Sequence, residues 1–161
     1  MNKLQGFYEL QYLGIPSIPW RRFTGTETLD PSLLWTVRVA VEEGDDYNLP
    51  RAVGLSSAEA LERAREYLRR FSAKGMVLYY PYFIALISGI IDVKEKTTVL
   101  EAVHGDLWNL TTKGRVEVTY IIDRYTRERQ VYGDDALLGE GKLHELIKYS
   151  ARIRQKYRDL I

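Results

Sequence analysis

The sequence predicts an α+β chain in which a mixed, mostly antiparallel sheet carries helices on one face. Three observations support this. Residues 56–73 and the last stretch of the chain repeat apolar residues at helical spacing, and a shorter helical pattern opens the sequence. The block between the two long helices alternates at the period of two that marks strands. The links inside that block, "DVKEKTT" and "DRYTRERQ", read as hairpin connections.

In chain order, Leu4, Phe7, Tyr8 and Leu10 form a short helical stripe that ends at Gly14. Pro16 and Pro19 then force an extended segment. "LLWTVRVAV", residues 33–41, is a strand with Trp35, Val37, Val39 and Val41 on its core face and Thr36, Arg38 and Ala40 on the other. "EEGDDYNLPRAVGLSS" reads as a loop, long enough to be a functional element. Ser56 and Glu59 form a capping box, and Leu61, Ala64, Leu68 and Phe71 follow at helical spacing, with Glu59–Arg63 and Glu66–Arg70 as i,i+4 pairs outside. Four strands follow in "MVLYYPYFI", "LISGIIDV", "TTVLEAV" and "RVEVTYIID". The last helix, preceded by "GDDALLGEG", turns Leu143, Leu146, Ile147, Ser150, Ile153 and Tyr157 inward.

Length and composition narrow the classes. A chain of 161 residues is expected to be one domain, 1–161, that removes roughly two thirds of its unfolded surface from water. With no cysteine, disulfides, thiolate metal sites and thiol catalysis are excluded, and a reducing cytoplasm is the expected location. The opening residues lack a signal-peptide core. The longest uncharged run, Val77 to Ile91, is shorter than the ~20 residues of a spanning helix and is broken by Pro81, so it reads as two buried strands and no membrane partner is expected. Lys plus Arg number 23 against 22 acids, so no global field attracts nucleic acid, and nucleic acid is not an expected partner. The 28% of charged residues is a composition also seen in thermophiles.

Two ionised residues interrupt strand interiors. Arg38 sits among small neighbours, an arrangement suited to holding an anion: a carboxylate of the protein or a phosphate of a ligand. Glu101 lies between Val99 and Val103, where an apolar residue belongs. The two could form a buried pair or serve a ligand, and the residues leave both readings open. His104 and His144 lack the spacing of a zinc site; Glu101 and Asp106, flanking His104, are the oxygen ligands available to a hard cation. Asp45–Asp46 and Asp134–Asp135 read as solvated loop residues. Neither a Gly-x-Ser-x-Gly elbow nor a P-loop occurs. Lys148, Arg152 and Lys156, beside Arg154 and Arg158, form a basic helix stripe that could follow nucleic-acid phosphates but reads first as a solvated face, and the tyrosines of "YYPYF" read as core.

Taken in order, these segments resemble one family. "KLQGFYELQYLGIPSIPW" is similar to the Gly-Lys-x-x-Asn-Leu-x-Glu opening and later Gly-x-Pro-Val-Pro of the N-terminal nucleotide-binding domain of phosphoenolpyruvate synthases and pyruvate phosphate dikinases, with Lys3, Glu9, Gly14, Pro16 and Pro19 in the matching places. "LWTVRVAVEEGDDYNLPRAVG" resembles its Val-Arg-Ser-Ser-Ala segment, with Arg38, Pro50 and Gly54 in register. Ser88-Gly89 and "LEAVHGDLWNLTTKG" match its Ser-Gly-Val and Gly-Leu-Gly-Glu segments.

The resemblance implies an ATP-grasp-like domain, partial and reduced. It makes Lys3 and Arg38 contacts to nucleotide phosphates and Glu101 a residue near the nucleotide or its magnesium, so ATP and Mg are the implied cofactors, with Asp106 beside Glu101 as the further oxygen ligand that the residues themselves offer, where a turn at the end of a strand is the other reading. Val39-Ala40 replaces the family's Ser-Ser, and Asp106-Leu107-Trp108 replaces its Leu-Gly-Glu. The sequence holds no counterpart of the family's Asp-Ile-Glu-Trp strand or phosphohistidine domain. The implied function is therefore binding of a nucleotide or phosphorylated small molecule without complete phosphotransfer by the chain itself, with a partner protein supplying the missing catalytic elements and an oligomer as a further expectation. The alternative is a structural or interaction module that keeps the fold with a lost site.

Overall fold

A computed structural model describes residues 2–44 and 48–157. Asp45–Asp46 and Arg158, named above, lie outside the described residues. The chain divides into two compact units, Met1–Phe83 and Ile84–Ile161.

The first unit opens with α1 (Lys3–Tyr12). Its N-terminus is fixed by a reciprocal cap: the Gln5 amide donates to Asn2 Oδ1 (2.9 Å) and the Asn2 amide to Gln5 Oε1 (3.0 Å). The helix stops ahead of Gly14, which adopts φ 61°. Four strands, β1 (Arg21–Arg22), β2 (Trp35–Ala40), β3 (Arg51–Leu55) and β4 (Met76–Pro81), form an antiparallel sheet of order β1-β4-β2-β3. Between β3 and β4 runs α2 (Ser57–Phe71).

α2 sets Ala60, Ala64 and Tyr67 against Trp35, Val37, Val39, Val77 and Tyr79. The two alanines let the helix backbone come close, so the β-branched residues of the sheet fill the layer. The opposite sheet face is covered as well: Leu4 is buried with Ala40, Met76 and Leu78, with Phe7 and Trp20 packed alongside. Helices on one face only, as the sequence suggested, is therefore not the arrangement of this unit. Strand β4 is buried on both sides, and so is β2 apart from the half-buried Arg38, which an alternating pattern cannot signal.

The second unit is an antiparallel meander: β5 (Ile87–Val93), β6 (Thr97–His104), β7 (Val118–Asp123) and β8 (Arg129–Gly133), in that order. The one-turn α3 (Trp108–Thr111) lies between β6 and β7, and α4 (Gly139–Lys156) follows β8. Leu100, Ala102, Val118, Tyr120 and Ile122 form the sheet's core face against Leu143, Leu146 and Ile147 of α4. Here the helix does cover one face, and the predicted alternation along β7 and the stripe of α4 are both found. The Tyr120 hydroxyl, carried into that core, donates to the Asp135 carbonyl at 3.0 Å.

The α+β class holds, with two antiparallel four-stranded sheets in place of one mixed sheet. Residues 51–55 form a strand inside the expected loop; a bulge opposite Trp35 to Val37 and Gly54 at φ 67° hide its alternation. The run Val77 to Ile91 is not two buried strands. β4 is buried, but β5 is an edge strand with Ile87 and Ile90 exposed. In "YYPYF", Tyr79 and Tyr80 are core whereas Phe83 is exposed. Glu66 bonds Arg70 as expected, but the Glu59 carboxylate accepts from Ser56 instead of pairing with Arg63, which turns to Glu66. Among the described residues no helix is long and apolar enough to cross a membrane.

Candidate functional site

Strand pairing explains what surrounds Arg38. Across the first sheet, Arg22 on β1 is directly opposite Leu78 on β4, Leu78 is opposite Arg38 on β2, and Arg38 is opposite Arg51 on β3. Directly paired residues point to the same face, so three arginines share one row on the side covered by α1. Like charges side by side on neighbouring strands repel. Among the described residues none of the three pairs with a carboxylate.

Arg38 is half-buried, and its Nε is sealed from solvent with no hydrogen-bond acceptor. Its guanidinium carbon lies 5.9 Å from the ring centroid of Phe7 on α1. Trp20 stacks on the same Phe7 ring with centroids 6.0 Å apart, and its Nε1 is also buried without a partner. Thr36 Oγ1, on the Arg38 face of β2, is a third such atom. Two strong donors thus flank one ring, and both lack acceptors.

Lys3 opens α1 and is exposed, one helical turn before Phe7, so the structure keeps Lys3 and Arg38 in the same unit. Glu101 belongs to the second unit. It lies on the face of β6 away from Leu100 and Ala102, in a row with Ile90, Thr119 and Tyr132, and is half-buried. It shares that face with Val99 and Val103 as expected, but this is not the face that α4 covers. Among the described residues it makes no ion pair with Arg38 or any other cation.

Asp106 follows the turn at Gly105, which has φ 75°, and its Oδ1 accepts the Trp108 amide at 2.7 Å. Its carboxylate thus serves the start of α3. His104 Nδ1 and Glu117 Oε2 are 2.5 Å apart at the exposed end of β6. No three His, Cys, Asp or Glu side chains among the described residues cluster as a metal site. Asp135 lies 3.6 Å from Arg129, while Asp134 caps the Ala136 amide.

Near β1, burial raises the Glu27 carboxyl, but hydrogen bonds from the Thr24 hydroxyl and the amides of Thr24 and Gly25 outweigh that and bring it down to about 2. Sequence reasoning found Arg38 but missed Arg22, Arg51, Phe7 and Trp20. Their signal was the basic residues directly after Trp20 and Pro50, which acquire meaning only with the pairing register.

No family model, curated protein or solved structure matches the chain.

Proposed function

We propose that the first unit binds a phosphorylated anion, a nucleotide of the ATP type, through Arg38 with Lys3 on α1. The observation that carries the reading is the Arg38 Nε donor, buried and without an acceptor, beside Arg51 and in line with Arg22. A phosphate would supply the missing acceptor oxygen and the negative charge that the row lacks. Phe7 and Trp20 give the apolar wall that most small-molecule sites have.

The reading extends to a reduced ATP-grasp-like fold of the dikinase type, with ATP and Mg as cofactors. It is a binding function in a reducing cytoplasm, with phosphotransfer completed by a partner chain. The competing account is a scaffold without a ligand, in which the stack on Phe7 is the only use of Arg38. Calorimetric titration with ATP and magnesium, on wild type and Arg38→Ala, separates the two. The proposal requires a saturable signal in wild type that Arg38→Ala weakens at least tenfold; no heat with any nucleotide or with inorganic phosphate removes it.

A further inference from the structure

A second concentration of cations lies wholly within the second unit, where α4 meets the β7–β8 hairpin. Arg124, just past β7, and Arg154, near the end of α4, both donate through Nη1 to the carbonyl of Lys94, at 3.1 and 3.3 Å. Arg124 also donates to the Glu95 carbonyl at 2.6 Å. Two half-buried guanidinium groups are thus held at one oxygen atom, and among the described residues neither pairs with a carboxylate. The adjacent Asp123 directs its carboxylate to the amides of Tyr125 and Thr126. Holding like charges together without an acid is unfavourable unless an anion joins them.

The surroundings fit a particular anion. Arg124, Arg154, Gln155 and Tyr125 line a cavity of about 320 Å³, and Tyr125 is 72% exposed. Ala151 joins this cavity to a neighbouring one of about 650 Å³ whose lining includes Arg127, Arg129, His144 and Lys148. The side chains of Arg127 and Lys148 have no carboxylate partner among the described residues, whereas Arg129 is engaged by Glu140 at 2.6 Å. The near-neutral charge of the whole chain therefore hides a local excess of cations along one side of α4.

A cationic groove that tracks a backbone, with an exposed aromatic ring beside it, is the arrangement that holds single-stranded nucleic acid. We propose that this groove binds a single nucleic-acid strand. Its phosphates lie on Arg124 and Arg154 and continue toward Lys148 and Arg127, and one base stacks on Tyr125. The residues are separate from those of the Arg38 row, so the two proposals fail independently.

The test is fluorescence anisotropy of a short labelled oligothymidylate with the full chain, read against salt concentration. Binding is expected at low salt and should fall steeply as salt rises, because phosphate contacts release counterions. Lys148→Glu combined with Arg127→Asn should weaken it about tenfold or more and flatten the salt slope. Among the described residues neither side chain makes a hydrogen bond, and Arg127 already adopts φ 67°, which asparagine tolerates, so this variant keeps the fold. Tyr125→Ala should lower affinity about tenfold by removing one stacked base. Lys74→Glu, the same charge reversal as at Lys148 but on an exposed residue of the first unit, should leave binding unchanged, and so should Arg38→Ala. No binding by wild type, equal loss in Lys74→Glu, no loss in Tyr125→Ala, or equal competition by thymidine monophosphate or by duplex DNA would each overturn the assignment.

Discussion

Replacing Arg38 with methionine isolates the consequence of a buried donor that lacks an acceptor. The substitution keeps an unbranched side chain of similar length against Phe7 and removes the charge and every donor. Three terms decide the sign. A buried donor without an acceptor costs about 1–3 kcal/mol, so deleting Nε recovers that amount. Removing the charge opposite Arg51 relieves a further ~0.2–1 kcal/mol of cross-strand repulsion. Against these, the lost contact of the guanidinium with Phe7 is worth about 0.5–1 kcal/mol.

At mid-range the three terms leave a gain of about 2 kcal/mol for Arg38→Met in the absence of ligand. Urea denaturation at neutral pH, followed by tryptophan fluorescence, should show the midpoint rising by roughly 0.5–1 M. Saturating ATP or phosphate should raise the wild-type midpoint and leave that of Arg38→Met where it is. A variant destabilised by ~3 kcal/mol or more would refute the reasoning, because that is the cost of breaking a matched buried ion pair and would reveal an internal acid on Arg38.

Other consequences follow from particular contacts. A Cβ on Gly133, which has φ 95°, would sit 2.0 Å from the Glu117 carbonyl oxygen, so Gly133→Ala should destabilise by about 1–3 kcal/mol in thermal melts of the full chain. Ala64 is fully buried between α2 and the first sheet, and Ala64→Leu should cost about 1–3 kcal/mol by overpacking, measured by urea denaturation. Glu27, with a folded-state carboxyl of about 2 against an ordinary 4.5, stabilises the fold above the ordinary value and loses that contribution as pH falls toward 2. Glu27→Gln should therefore be less stable than wild type at pH 6 and should lose less stability than wild type between pH 5 and pH 2.5, as followed by circular dichroism.

What the sequence revealed depended on how local each feature is. The helices were legible because capping boxes and stripes are local: Ser56 with Glu59 marks the start of α2, and Leu143 to Ile153 mark the inner face of α4. Strands β6 and β7 were legible because one face is core and the other is not. Strand β3 was hidden by its bulge and by Gly54, and the exposure of β5 by an apolar composition that an edge strand shares with a core strand. The division into two sheets left no trace, because nothing local to Tyr79 or Ile90 says that β4 pairs with β2 and β5 with β6.

The candidate site divides along the same line. Arg38 stood out because a charge inside a strand is a local anomaly. Arg22 and Arg51 did not, since they join it only through pairing between strands far apart in sequence. The cations of α4 were visible as a helix stripe, but Arg124 and Arg127 reach them through the hairpin connection, which the sequence left unplaced.

The most direct measurement is the nitrogen–proton NMR signal of the Arg38 Nε–H group, assigned by its disappearance in Arg38→Lys. In the ligand-free protein the signal should have the proton shift of a donor without an acceptor, and magnesium-ATP or inorganic phosphate should move it downfield and slow its exchange with water. A signal already downfield before any ligand is added, or one that stays put at saturating nucleotide and phosphate, would contradict the account.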